Sequence, residues 1–397
     1  MSKIYAGLGL STEKDPVRAA QEAVHQAKTS FHSEKVSLAI VFCSTDLSHS
    51  TLLKTISIHL ENTPIIGCSG AAIISSYGIT KHGIVILLLG FPEDVFCNTG
   101  HVREIGTKTS LVAGQELGEK LIYGFQNVRR DLSIIFSDGL IKEGSNLIHG
   151  LQLRLGYSFP LIGASASDNM HFSRTCLHFN QTVFNDGACG LLLGGKVRFG
   201  LGVKHGWQPL GKLRKVTRSK DNVVYQIDGA PAVRLYEEYF AYNIAELKKE
   251  LKHISVLYPI GIYLSGEKEY LLRNIIAIEE DGSLVFQGDV PENSDIRLMI
   301  GTKESCLDAA KQALSEAKNR LTGYDIYFIL VFDSISRYIL LGRNAFKELE
   351  AIKEVMGREI PIIGFYTFGE QAPLTAINYR GRSYFHNQTF TVLAIGG

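Results

Sequence analysis

The sequence predicts an α/β protein of mixed sheets flanked by helices, with two modules containing three copies of a strand–helix–strand unit. Three observations carry this expectation. The phrases Pro64-Ile-Ile-Gly67, Pro160-Leu-Ile-Gly163 and Pro361-Ile-Ile-Gly364 recur along the chain. Each follows an apolar run ending in Phe: Leu38 to Phe42, Leu132 to Phe136, and Phe328 to Phe332. A Thr opens a helical stretch upstream at near-constant distance: Thr12 to Pro64 spans 52 residues, Thr107 to Pro160 spans 53, and Thr302 to Pro361 spans 59. Self-similarity at a fixed period is the mark of a repeat architecture.

The first helix of each unit is read from an apolar stripe. Val17, Ala20, Ala23, Val24 and Ala27 align with Leu307, Ala310, Ala313, Leu314 and Ala317, at the three-and-four spacing of one helix face. Small alanines let such a helix lie close to a sheet. The middle copy, around Val112 to Ile122, keeps its Thr but loses this register. A second helix follows each Phe-ended strand, with stripes Leu52, Leu53, Ile56, Leu60; Leu147, Ile148, Leu151, Leu155; and Phe346, Leu349, Ile352, Met356. Strand, helix, then a short Pro-led strand is a crossover, which favours parallel pairing. Pro suits the first position of a strand because no ladder N–H is needed there. The Gly then marks a bulge or a tight approach.

Later apolar runs, Ile84 to Leu89, Gly190 to Leu193 and Thr391 to Ile395, are expected to return antiparallel and make the sheets mixed. A second shared phrase, His178-Phe-Asn-Gln-Thr182 and His386-Asn-Gln-Thr389, introduces the last two. Gly211 to Asp228 is polar and breaks the pattern, so it reads as a linker and the boundary falls there. Residues 1–222 then hold two copies and residues 223–397 the third. Asp228 to Tyr236 opens a helix running to about Lys252, and Ile275 to Asp289 reads as a hairpin about Asp281-Gly282.

Composition narrows the function classes. Lys and Arg total 41 against 40 Asp and Glu, which gives no long-range field for nucleic acid or an anionic membrane. No secretory signal is read at the N-terminus, and the longest apolar run is too short to span a bilayer. The six cysteines show no CxxC pair, so neither a zinc knuckle nor a disulfide framework is expected. A cytoplasmic location with reduced thiols is expected. No cofactor and no metal are expected either; His171 and His178, with Cys176 and Asp168 nearby, fit no common ligand spacing.

Ligands in open α/β sheets settle beyond the carboxyl ends of parallel strands. Two loop sets lie there. One follows the Phe-ended strands and carries an acid and a hydroxyl each time: Cys43-Ser-Thr-Asp46, Ser137-Asp-Gly139 and Asp333-Ser334. Helix capping explains such residues equally well. The other set follows the glycine of the repeated phrase and contributes Cys68, Ser69, Gly70, Ser165, Ser167, Asp168, Tyr366 and Glu370. With Asn387 and Thr389 of the second phrase, these are the expected ligand-binding residues, offering hydrogen-bond partners and charge to a small molecule.

Pro64 to Gly70, the Asp228-Gly-Ala-Pro-Ala232 entry to the second half, and Gly364 through Glu370 followed by Asn387-Gln-Thr389 together resemble FIST proteins, over nearly the whole chain. The resemblance implies paired N-terminal and C-terminal FIST modules. It also implies a sensory, ligand-binding role in prokaryotic signal transduction, with amino acids or related metabolites as ligands. Fused members carry an output region; here no residues are left for one, so signalling is expected to pass through a protein partner. Two rival readings stand beside the sensor. One is a hydrolase with Ser69 or Cys68 as nucleophile, although Gly67-Cys-Ser-Gly70 misses the GxSxG pattern. The other is an interaction scaffold, which predicts an exposed apolar surface instead of an enclosed site.

Overall fold

The computed structural model describes residues 3–33, 35–61, 63–141, 143–374 and 382–397. The first unit comprises β1 (Tyr5–Ser11), α1 (Pro16–Thr29), β2 (Leu38–Cys43), α2 (His49–His59), β3 (Ile65–Ser69), β4 (Ile73–Ser75), β5 (Gly78–Thr80) and β6 (Ile84–Gly90). The second repeats the order as β7 (Val95–Arg103), α3 (Ser110–Ile122), β8 (Arg130–Ser137), α4 (Gly144–Leu155), β9 (Leu161–Ser165), β10 (Leu177–Phe179), β11 (Thr182–Phe184) and β12 (Gly187–Gly195).

A third unit starts at β13 (Arg198–Lys204) and is then interrupted. The interruption holds β14 (Gln208–Lys220), β15 (Val223–Ile227), β16 (Ala230–Pro231), α5 (Arg234–Phe240), α6 (Ile244–Leu257), β17 (Ile260–Tyr263), β18 (Leu271–Arg273), β19 (Ile275–Ile278), β20 (Leu284–Phe286) and β21 (Asp295–Ile300). The unit resumes with α7 (Lys303–Asn319), β22 (Ile326–Ser334), α8 (Ile335–Leu341), α9 (Phe346–Met356), β23 (Ile362–Thr367), β24 (Gly369–Pro373), β25 (Ser383–His386) and β26 (Phe390–Gly396).

Three sheets follow one plan: β1-β6-β2-β3-β10-β11, β7-β12-β8-β9-β24-β25, and β13-β26-β22-β23-β4-β5. In each, the crossover pair is parallel (β2 with β3, β8 with β9, β22 with β23), and β6, β12 and β26 return antiparallel. The last hairpin of each sheet comes from another unit. The first unit's β4–β5 joins the third sheet, the second's β10–β11 the first, and the third's β24–β25 the second. No unit closes its own sheet.

The inner faces meet in one core. Leu38, Ile40 and Phe42, Leu132, Ile134 and Phe136, and Phe328, Leu330 and Phe332 all belong to it. The strand-ending phenylalanines surround an axis, with Phe42 at 5.3 Å from Phe136 and Phe136 at 5.8 Å from Phe332. Each outer face takes its own helices, α1 and α2, α3 and α4, or α7 and α9. The recurring glycine is a matter of space. A Cβ on Gly67, Gly163 or Gly364 would fall 1.8, 2.0 or 1.9 Å from the carbonyl oxygen of Val41, Ile135 or Val331 on the paired strand.

Several local expectations are corrected. Thr302 does cap α7, in a box with Ser305. Thr12 does not open α1; Asp15 caps it by accepting the Arg18 N–H, and Pro16 takes the first-turn position where no donor is needed. Thr109, not Thr107, caps α3. Val17 is exposed at 39%, and Ala19 takes its place on the buried face of α1. Gly211 to Asp228 is no linker: its backbone pairs with β21 and then as the β14–β15 ribbon, with residue 222 in the turn, while Lys212, Lys215, Arg218 and Lys220 are exposed. The long helix after Asp228 is two helices, because Ala241 turns left-handed and Asn243 with Glu246 starts α6 in a capping box. The β19–β20 hairpin lies where Asp281-Gly282 places it. No helix among the described residues is long and apolar enough to cross a membrane.

Candidate functional site

Sheet register defines three equivalent corners at the carboxyl ends of the parallel pairs. Cys43 lies opposite Ser69, Ser137 opposite Ser165, and Asp333 opposite Tyr366. The exchanged hairpins bring in a third position. His178 faces Gly67, Gln371 faces Gly163, and Ile74 faces Gly364. One backbone plan thus presents three different sets of chemistry.

The loops after Gly67, Gly163 and Gly364 do meet at the axis, where they lock to one another. The Ser69 hydroxyl donates to the Ser167 carbonyl (2.8 Å) and accepts the Cys176 N–H (3.0 Å). Ser167 donates to the Tyr366 carbonyl and accepts the Ala71 N–H (2.8 Å). Ser165 shares a hydrogen bond with Ser137 (3.0 Å), which also receives the Gln371 amide (2.8 Å). The Gly70 N–H donates to the Cys43 carbonyl, and a Cβ there would lie 2.6 Å from that of Phe365. Asp168 accepts the N–H groups of His171, Phe172, Ser173 and Arg174, tying its own loop. Burial opposes charge on Asp168, yet these four donors outweigh it and hold the carboxyl below its ordinary value.

Neither proposed nucleophile is armed. Ser69 spends its proton on a backbone carbonyl, and burial pushes the Cys68 thiol well above its ordinary range, which disfavours the thiolate. Open clefts lie at the other end of the molecule, near the amino ends of β8 and β22. One of about 340 Å³ is lined by Ile4, Arg129, Lys196, Arg198 and Tyr327 among others, and one of about 420 Å³ shares Arg129 and Arg198 with it.

The third corner is different, because its polar atoms exceed its donors. Arg337, on the short helix directly after β22, donates to Asp333 (2.8 Å), to Glu348 on α9, and to the carbonyls of His205 (2.6 Å) and Cys306 (3.0 Å). All three ionic side chains are buried. Burial, then the neighbouring Glu348 carboxylate, raises Asp333 well above its ordinary value, against the pull of Arg337. Asp333 Oδ2 and Glu348 Oε2 are both buried with no hydrogen-bond partner. Glu370 accepts the Thr389 N–H at Oε2 (3.0 Å), while its Oε1 is buried with no hydrogen-bond partner. The Tyr366 hydroxyl is also buried without a partner, and its ring lies 4.5 Å from Tyr338. Asn387 accepts the Asn274 N–H (3.0 Å) and Thr389 donates to the Asn387 carbonyl (3.0 Å), so the inserted segment roofs this corner.

A FIST N domain matches residues 37–230 and a FIST C domain matches residues 232–373, in tandem. The chain belongs to the FIST family. An uncharacterized protein of Methanocaldococcus jannaschii is 24% identical, over 84% of this chain and 69% of that one. An uncharacterized protein of Mycobacterium tuberculosis is 23% identical, over 94% of this chain and 96% of its own. Among solved structures, a cyanuric acid hydrolase is similar at a TM-score of 0.39 and 7% identity, covering 98% of this chain and 99% of that one. A chorismatase is similar at a TM-score of 0.38 and 7% identity, covering 100% and 99%. FIST domains generally serve as sensory, ligand-binding modules in signalling.

Within this FIST protein, Asp333, Arg337, Glu348, Tyr366 and Glu370 all fall inside the FIST C match. Arg337 and Glu348 were invisible as site residues in the sequence. An arginine four residues after an acid on a short helix reads as a solvated pair.

The FIST C corner makes a pH prediction. Burial raises Glu370 well above its ordinary value, although the Thr389 N–H and Arg337 pull the other way. The native state therefore keeps a proton that the unfolded chain releases above the model-peptide value of about 4.3. Stability from this group is complete below that pH and declines as pH rises toward the folded value. Glu370→Gln keeps a neutral side chain, so its unfolding free energy should gain on the parent as pH rises, by at most about 1.4 kcal/mol per pH unit while the native side chain holds its proton. Urea titrations at several pH values between 5 and 8 check this; parallel curves for the two proteins would refute it.

Proposed function

We propose that this FIST protein is a small-ligand sensor whose ligand, an amino acid or a similar metabolite, places its protonated amino group in the third corner. The observation that carries the reading is that Glu370 Oε1 and the Tyr366 hydroxyl are both buried with no hydrogen-bond partner, as are Asp333 Oδ2 and Glu348 Oε2. Buried acceptors require donors, from water or from a ligand. An ammonium group supplies three donors, and its charge suits a corner where three carboxyl groups, Asp333, Glu348 and Glu370, have one arginine between them. Binding would replace the Glu370 proton by the ligand's cation.

Transmission has a physical route. The inserted segment touches the corner through Asn274 and through Ser255, whose carbonyl accepts the Gln388 amide (2.7 Å). A ligand that orders Glu370 and Thr389 shifts this roof, and the roof is the surface a signalling partner would read. No exposed apolar surface is needed for that contact to be regulated.

The test is a thermal-shift and calorimetric screen of amino acids and amines against the full chain. A ligand at 100 times its Kd should stabilise the fold by about 2.7 kcal/mol. Glu370→Gln should weaken binding roughly 10- to 100-fold, the range expected for a hydrogen bond to a charged group, and the parent should release a proton on binding. No stabilisation by any compound with an amino group would sink the reading. So would a ligand whose affinity is the same in Glu370→Gln.

A further inference from the structure

We infer that Cys43, His49 and His178 form a binding site for a zinc-class metal ion that pins the second unit's exchanged hairpin to the first sheet. The three ligand atoms lie within 4.8 Å of one another, and all three side chains are buried. They come from separate places. Cys43 ends β2, His49 is the first residue of α2, and His178 sits on β10, which the second unit lends to the first sheet. No stretch of sequence contains the set.

The tautomers carry the inference. His49 Nε2 lies 3.2 Å from the Ser44 carbonyl, and His178 Nδ1 lies 3.3 Å from the Val41 carbonyl. A carbonyl accepts only, so satisfying both carbonyls places each ring's proton on these nitrogens. Each ring then turns its bare nitrogen toward the other, and His49 Nδ1 stands 2.8 Å from His178 Nε2. Two lone pairs facing at that distance repel unless an electrophile sits between them. Cys43 Sγ completes the triangle at 3.6 Å from His49 Nδ1 and 3.9 Å from His178 Nε2.

The dimensions suit zinc. With Zn–N near 2.0–2.1 Å and Zn–S near 2.3 Å in a tetrahedron, the N···S edges come to about 3.6 Å and the N···N edge to about 3.3 Å. The sulfur edges are close to this already. The nitrogens need to part by about 0.5 Å, a small ring rotation. The backbone carbonyls behind each imidazole are the outer partners that orient metal-bound histidines. The other two corners hold Ser137 with Gln371, and Asp333 with Ile74, so neither repeats this ligand set. On binding, the Cys43 S–H bond breaks, the sulfur–metal bond forms, and the proton leaves to solvent. Three protein ligands leave a fourth position for water or a further donor.

The full chain, purified without chelator, should carry about one zinc equivalent by elemental mass analysis, and lose it to a strong chelator. Refilling with Co(II) should give a thiolate-to-cobalt charge-transfer band. Cys43→Ala should abolish that band and weaken Zn(II) affinity at least 100-fold, and His49→Ala should weaken it comparably. If a variant fails to fold, the parent decides alone, since a surface histidine site yields no thiolate band. Less than a tenth of an equivalent of zinc after refilling would overturn the inference, leaving a plain histidine–histidine hydrogen bond with one carbonyl forfeited. A cobalt–thiolate band that persists in Cys43→Ala would overturn it equally.

Discussion

Replacing Arg337 by methionine is expected to lower the unfolding free energy by about 3–5 kcal/mol, the cost of stranding buried charge. The guanidinium is buried, holds Asp333 and Glu348, and caps the carbonyls of His205 and Cys306. It also lies over the Phe390 ring, 5.4 Å from its centroid. Methionine fills part of the volume but donates nothing. Asp333 and Glu348 are then left buried with no cation beside them, and the carbonyls of His205 and Cys306 lose the guanidinium. The companion test replaces the whole triad, Asp333→Asn, Arg337→Met and Glu348→Gln. It should recover much of the loss, because the penalty comes from the broken set and not from the missing ion pair as such. Urea unfolding at pH 7 measures both. A cost below about 1 kcal/mol for Arg337→Met would mean that water reaches the corner and the carboxylates are not confined.

Gly364→Ala should be nearly as damaging, at roughly 3 kcal/mol or with outright loss of folding. A Cβ at this position would sit 1.9 Å from the Val331 carbonyl oxygen, far inside van der Waals contact. That oxygen belongs to the adjacent parallel strand, so no side-chain rotation relieves the clash. The strands would have to part, and the parallel register from Ile329 with Ile362 to Ser334 with Thr367 would loosen. Gly78→Ala is the control, because a Cβ there meets nothing within 4 Å and pays only for its positive φ of 144°. That change should cost about 1 kcal/mol. Thermal melts of the two variants compare them directly. Equal losses would show that space at the repeated glycine is not what matters.

Much of the fold was legible because local rules and tertiary packing agree here. The Phe-ended runs became the central strands, the Pro-led phrases became their parallel partners, and the later apolar runs returned antiparallel. Site residues were harder. Ser69, Ser165, Ser167 and Asp168 look like ligand donors in sequence, yet each is hydrogen-bonded within the fold. A small polar loop that closes a buried axis must satisfy its own backbone, which needs the same side chains. Tyr366 and Glu370 kept unsatisfied atoms, and only coordinates reveal that. His178 drew notice beside Cys176 and Asp168, its neighbours in sequence. Its partners in space, His49 and Cys43, lie 129 and 135 residues away.

By itself the sequence determined the unit: its strand and helix periods, its glycine at the tight approach, and its threefold recurrence. These are properties of short segments, written in spacings of two and of three-to-four residues. Tertiary structure alone decided the exchange of hairpins, which carries His178 into the first sheet and Glu370 into the second. Edge strands choose partners by shape and burial across the assembled core, and no local pattern names the neighbour. The chemistry of all three corners follows from that choice.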